Sequence, residues 1–241
     1  MGRLFATVSG KGGVGKSTVC RLLASALSGN GKVLIIDLDR GMGSLDIMLN
    51  VNDRVVFDLS DLLSHKKTAE EVILNNQNID LIPAPSDDID FKALRQYLFN
   101  AVEQYDYVLV DFPAGLNPQA VCEMPRFCEF LLVVCQNTVS CRAAAAFADM
   151  IVGGEYLEPR LIVNRFSHKA LKHNKTAVKN LDTIVDESRV RLLGIISEDK
   201  NVELLTRGIQ PKAKSPAVRC VNKIAARLNF EDLPLTALKK L

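Results

Sequence analysis

The sequence predicts an α/β protein whose mostly parallel β-sheet is covered by helices on both faces. Three observations predict it. Short, continuously apolar, β-branched runs recur along the chain, and segments with helical spacing separate them. A Gly-rich turn joins the first apolar run to the first helical segment. Strands buried on both faces read as unbroken apolar runs, and parallel pairing requires long crossovers of the kind helices provide.

Taken in order, "LFATVSG" (4–10) is an apolar strand that closes on Ser9 and Gly10. "KSTVCRLLASAL" (16–27) spaces Val19, Leu22, Leu23 and Leu27 for one helix face. "KVLIIDLD" (32–39) is a buried strand ending in Asp37 and Asp39. "NIDLIPA" (78–84) is a strand that stops at Pro83. "DDIDFKALRQYLFNAVEQ" (87–104) repeats Leu94, Leu98 and Val102 at helical spacing. "YDYVLVDF" (105–112) is a strand carrying Asp111 near its end, and "FLLVVCQ" (130–136) is another apolar strand. The Ala-rich "SCRAAAAFADMIV" (140–152) favours a helix. "RLIVNRF" (160–166) and "VRLLGII" (190–196) are strands, and "SPAVRCVNKIAARL" (215–228) has helical spacing. No Pro/Gly/Ser-rich linker, repeat or low-complexity segment divides the chain, so residues 1–241 read as one domain.

Composition narrows the class. The chain is 48% hydrophobic and 24% charged, an ordinary globular balance, and its apolar runs are too short to span a bilayer. No signal peptide is evident, and Ala6 stands where a myristoylation signal wants Ser or Thr. The expectation is a cytoplasmic protein with reduced thiols. The six cysteines contain no C-x-x-C pair and read as buried structural thiols. His65, His168 and His173 lack metal-ligand spacing. Charge is uneven: residues 1–164 carry 14 Lys/Arg against 20 Asp/Glu, and residues 165–241 carry 16 against 8. That basic last third suits an anionic partner or simply solvated helix faces.

"GKGGVGKS" (10–17) fits the phosphate-loop pattern G-x-x-x-x-G-K-[ST] between a strand and a helix. The backbone N–H groups of Gly12, Gly13, Val14 and Gly15, with the helix start, favour phosphate oxygens. Lys16 is placed to reach β- and γ-phosphates, Ser17 to ligate Mg²⁺ and Thr18 to meet the α-phosphate. An acid on the magnesium side is needed at the end of a buried strand, and Asp37, Asp39 and Asp111 qualify. "VNRFS" (163–167) lacks the Asp of a guanine-reading element, so the nucleotide is read as ATP. The fold class is therefore the P-loop NTPase three-layer fold.

"KGGVGKST" (11–18), with Lys11 as well as Lys16, resembles the loop of the MinD/ParA superfamily of deviant Walker A ATPases. "DLDRGMGSLDIMLN" (37–50) looks like that family's first switch, and "RVVFDLSDLL" (54–63) is similar to the segment that follows it. "DYVLVDFPAGLN" (106–117) looks like its second switch, and "PRLIVNR" (159–165) and "LLGIISED" (192–199) like its base-binding segments. Asp39-Arg40-Gly41 departs from the D-x-D-P-Q of ParA-type partition proteins, which favours the MinD branch.

The resemblance implies an ATPase switch that hydrolyses ATP to ADP and phosphate with Mg²⁺ and regulates division-site placement at the membrane. Two copies would close around two ATP molecules, with Lys11 reaching the partner's phosphates. Asp39 would orient the attacking water, Asp111 would hold Mg²⁺ through water, and Asn164 with the neighbouring Arg165 would contact adenine. Division inhibitor and activator proteins and an anionic membrane surface at the inner face of the cell are the implied partners. A ParA-like ATPase holding DNA through the basic last third is the alternative, along with a related flagellar or positioning ATPase. Gly43-Ser44 stand where the family has an Arg-Asn pair, and Ser197 where it often has Pro. The tail "FEDLPLTALKKL" (230–241) is either a frayed C-terminus or a truncated form of the family's membrane-targeting segment, in which Leu235, Leu238 and Leu241 would share one helical face and Lys239–Lys240 would meet anionic lipid; it is short and lacks bulky aromatic anchors.

Overall fold

A computed structural model describes residues 1–40, 44–115, 117–167 and 181–235. Within them, eight strands form one sheet: β1 (Arg3–Val8), β2 (Val33–Asp37), β3 (Leu74–Asn76), β4 (Ile79–Ile82), β5 (Tyr107–Asp111), β6 (Glu129–Val134), β7 (Arg160–Phe166) and β8 (Arg191–Ser197). Their order is β3-β4-β2-β5-β1-β6-β7-β8. All neighbours pair in parallel except β3 with β4. The seven strands read from the sequence are all present. The structure adds β3, an antiparallel edge strand of three residues. Only its Leu74 is buried, so no apolar pattern announces it.

The described helices are α1 (Lys16–Leu27), α2 (Leu45–Met48), α3 (Leu59–Leu63), α4 (Ala69–Val72), α5 (Phe91–Gln104), α6 (Pro118–Cys122), α7 (Thr138–Gly153), α8 (Leu181–Ser188) and α9 (Pro216–Leu228), with a 3₁₀ segment over Lys200–Arg207. The helix expected from residue 87 begins at Phe91, because the Asp90 side chain accepts from Lys92 N at 2.8 Å and caps the first turn. Asn137 caps α7 in the same way, accepting from Ser140 N at 2.8 Å.

Alternation along the strands divides the core in two. Leu4, Ala6 and Val8 of β1 face a layer with Leu94 and Leu98 of α5, Phe147 of α7 and Ile184 of α8. Phe5 faces the other way, toward Val19 and Leu23 of α1 and Ile224 and Leu228 of α9. The expected three layers are therefore present. α9 packs so closely that a Cβ on Gly194 of β8 would lie 2.4 Å from Ile224 Cγ1.

β1 lies at the centre, between β5 and β6. The chain leaves β1 toward β2 on one side, while β6, β7 and β8 extend on the other. This is a topological switch point, where open α/β sheets hold ligands beyond the C-terminal strand ends.

Candidate nucleotide site

The loop between β1 and α1 occupies that switch point. Gly15 has φ +84°, and a Cβ there would sit 2.5 Å from Asn164 Nδ2. Gly10 is pressed against α7, where a Cβ would meet Ala143 Cβ at 2.4 Å. Glycine is thus required at one position by conformation and at both by close approach. The loop is tied down from β7. Asn164 Nδ2 donates to Val14 O at 2.8 Å, and Arg165 Nη1 donates to Gly13 O at 3.2 Å.

Beneath the loop, strand ends bring the acids together. Asp37 ends β2 and Asp111 ends β5, and the two are direct neighbours across the sheet. Lys16 Nζ lies 2.8 Å from Asp111 Oδ1, 4.0 Å from Asp39 Oδ2 and 3.2 Å from Ser17 Oγ. Lys16 is buried although it is a lysine, and Asp111 is fully buried. Thr7 Oγ1 donates to Asp111 Oδ1 at 2.8 Å. Asp37 Oδ1 accepts from Asp39 N at 2.8 Å, which sets the turn leaving β2. Two carboxylates thus lie within 4.0 Å of one ammonium, and a third, Asp37, adjoins Asp111. Burial first, and then the charge of Asp111, push Asp37 up to about 7. Burial also raises Asp39; Asp111 adds to the effect and Lys16 opposes it.

The residues present fit a divalent cation. Asp111 Oδ2 is buried without a hydrogen-bond partner, and the acids outnumber the nearby cation. No group of three or more His, Cys, Asp or Glu among the described residues is arranged to hold a metal alone. Mg²⁺ takes one or two protein oxygens and completes its shell with phosphate and water.

Two clefts flank the loop. One, of about 440 Å³, is bounded by Gly15 and Thr18 on one side, Asn164 and Arg165 on another, and Ser197 and Ala217 across from them. It has the size and lining for a nucleoside. Its far wall is organised by Asp199, which accepts from Asn201 N at 2.9 Å, from Ala217 N at 3.3 Å and from the Ser215 hydroxyl. One carboxylate therefore caps both the 3₁₀ segment and α9. The second cleft, of about 360 Å³, is lined by Lys11, Gly12, Gln136, Asn137, Arg165 and Glu198. Lys11 is exposed and forms no hydrogen bond or ion pair among the described residues.

Every expected site residue falls around this loop. Asn164 has its amide engaged with the loop carbonyl, so it positions the loop as well as lining the cleft. Sequence reasoning missed Thr7, which nothing marks within an apolar strand, and the bracing role of Asp199, which the distant Ser215-Pro216 helix start conceals. Gly41, Gly43, Leu116, His168, His173, Leu238, Lys239, Lys240 and Leu241 lie outside the described residues. Four cysteines are buried as expected, but Cys135 is half-buried beside the loop and Cys122 is exposed; all six are free thiols.

Fold and site together define a P-loop nucleotide-binding protein, with a Gly-rich loop at the central strand and acids at the adjoining strand ends. Comparison with known proteins places it further. The chain belongs to the family described as the CobQ/CobB/MinD/ParA nucleotide binding domain, which matches residues 5–211. It is 30% identical to the septum site-determining protein MinD of Bacillus subtilis, over 100% of this chain and 94% of that protein. MinD in the MinC:MinD cell division complex of Aquifex aeolicus is 29% identical and superposes with a TM-score of 0.88, covering 98% of this chain and 99% of that one. MinD of Pyrococcus horikoshii, solved with Mg-ADP, is 28% identical with a TM-score of 0.82, covering 95% and 96%.

Proposed function

We propose that this chain is a MinD-like ATPase, one domain over residues 1–241, that cycles between an ATP-bound dimer and an ADP-bound monomer to regulate division-site placement. The observation that supports this reading is the meeting of Lys16, Asp37, Asp39 and Asp111 under a loop that also carries Lys11.

In the mechanism, the loop N–H groups and the α1 start bind the phosphates, and Thr18 contacts the α-phosphate. Lys16 turns from Asp111 toward the β- and γ-phosphates, exchanging one anionic partner for another. Ser17 and, through water, Asp111 would hold Mg²⁺, which would supply charge neutralisation to the phosphates. Asp39 orients the attacking water. Lys11 reaches the partner copy's phosphates and stabilises the charge that develops during transfer. Asn164 and Arg165 border the adenine. Loss of the γ-phosphate then releases the two switch segments and opens the dimer.

The MinC:MinD complex of Aquifex aeolicus supports a division inhibitor as one partner of the closed form. Membrane contact in this reading is peripheral; among the described residues no helix is long and apolar enough to cross a membrane. Sedimentation velocity with a slowly hydrolysed ATP analogue and with ADP, alongside phosphate release, tests the reading. A dimer is expected only with the analogue. Lys11→Ala is expected to remain monomeric and to lose turnover by about 10²-fold or more. An unchanged dimer in that variant would exclude the trans-acting lysine.

A further inference from the structure

The opposite end of the sheet carries a second cluster of charge. Arg3, Arg160 and Arg191 are the first residues of β1, β7 and β8, and Arg160 and Arg191 are direct register partners. Arg227, in the last turn of α9, points back to the same place. Its Nε donates to Leu233 O at 2.9 Å and its Nη1 to Leu193 O at 2.8 Å, so the guanidinium is held still. Its Nη2 is buried without a hydrogen-bond partner.

Arg160, Arg191 and Arg227 line one cavity of about 390 Å³, together with Phe230, Leu233 and Leu235. Arg3 stands behind it, paired with Glu129 and stacked 4.5 Å from the Phe230 ring centroid. Like charges placed side by side on adjacent strands repel. Burial lowers the Arg160 pKa; Glu129 opposes that, and Arg3, Arg191 and Arg227 lower it further. Glu231 and Asp232 also border the cavity, yet among the described residues neither forms an ion pair with any arginine. Three guanidinium groups therefore share a pocket with two carboxylates, neither of them ion-paired to an arginine among the described residues, which leaves the lining one positive charge in excess.

We infer that this cavity is a phosphate-binding site, taking the phosphate of an anionic lipid headgroup or of a soluble phosphate ester. Planar guanidinium groups match phosphate oxygens in a forked geometry, and immobilised ones bind with less ordering cost. The site is separate from the nucleotide loop. β7 and β8 each have seven residues and run from this cavity to the loop cleft, a separation of roughly 20 Å. The wall beside the arginines also carries exposed Phe230 and half-exposed Leu235, apolar groups suited to the surface of a bilayer. The inference deepens the peripheral-membrane part of the proposed function, but it uses no residue of the loop. Its failure would leave nucleotide binding and dimerisation untouched.

The test uses the full chain with Mg-ADP present, so that the loop does not compete for phosphate. Sedimentation with phosphatidylcholine vesicles, with and without phosphatidylglycerol, forms one arm. The thermal midpoint against inorganic phosphate forms the other. Arg191→Gln is compared with Arg189→Gln, which removes an exposed arginine paired outside the cavity with Asp149. If lipid phosphate is the ligand, Arg191→Gln weakens retention on phosphatidylglycerol vesicles about tenfold while Arg189→Gln does not. Glu231→Gln with Asp232→Asn strengthens it. If the ligand is a soluble ester, vesicles are not retained, and Arg191→Gln alone removes the stabilisation by inorganic phosphate. Equal losses in Arg191→Gln and Arg189→Gln would reduce the effect to general surface charge and overturn the proposal. So would no change in either arm.

Discussion

Replacing Asp37 by Asn should stabilise the nucleotide-free protein, and more so at alkaline pH. Asp37 is nearly fully buried, adjoins Asp111 across the sheet and accepts one backbone hydrogen bond, which Asn can also accept. Its pKa rises from 3.8 to about 7 on folding. Between those values the folded chain holds a proton that the unfolded chain has released. Stability therefore falls as pH rises through this window, and the loss is complete above about pH 7. The loss amounts to roughly 4 kcal/mol, at about 1.4 kcal/mol for each pH step between the two pKa values. Asn carries no charge, so Asp37→Asn escapes the loss. Urea denaturation in the presence of a chelator, at about pH 5 and about pH 8, measures it. The gain at the higher pH is expected to exceed that at the lower by roughly 2–3 kcal/mol. A gain independent of pH, or a variant less stable at pH 8, would refute the picture of Asp37 buried beside the Asp111 charge.

Lys16→Ala strips the buried Asp111 of its counter-ion and should cost about 3–5 kcal/mol by chemical denaturation, with nucleotide affinity lost in calorimetry. Thr7→Val removes a donor to the same carboxylate, and denaturation should register a loss of about 1.5–3 kcal/mol. Gly15→Ala should cost more than about 1 kcal/mol and weaken nucleotide binding, since both its positive φ and Asn164 oppose a side chain. Adding Asn164→Ala relieves the contact but not the backbone strain, so the double variant is expected to recover only part of the stability.

Much of this molecule is legible in one dimension. The phosphate loop is a contiguous pattern whose chemistry depends on backbone amides and one following lysine, so spacing alone identifies it. Most of the seven strands read from the sequence are largely apolar runs, because their side chains are buried on both faces of the sheet. Strand-end acids stand out against those runs, which is why Asp37, Asp39 and Asp111 were found together with the loop. Helix starts were less clear. Asp87, Asp88 and Asp90 are all plausible caps, and only the hydrogen bond to Lys92 N selects Asp90. β3 escaped because a three-residue edge strand has no period to detect.

What the sequence determined by itself, then, was local: the loop, the strands with their terminal acids, the amphipathic helices, and the extra Lys11 that marks the family. Tertiary structure decided which distant groups share a field. The strand order buries Asp37 and sets β2 and β5 side by side, and burial first, then the Asp111 charge, raises Asp37 to about 7. The same parallel order brings three arginines more than thirty residues apart along the chain to one cavity at the other end of the sheet. Electrostatic energy depends on distance and burial, and neither is defined until the chain has folded.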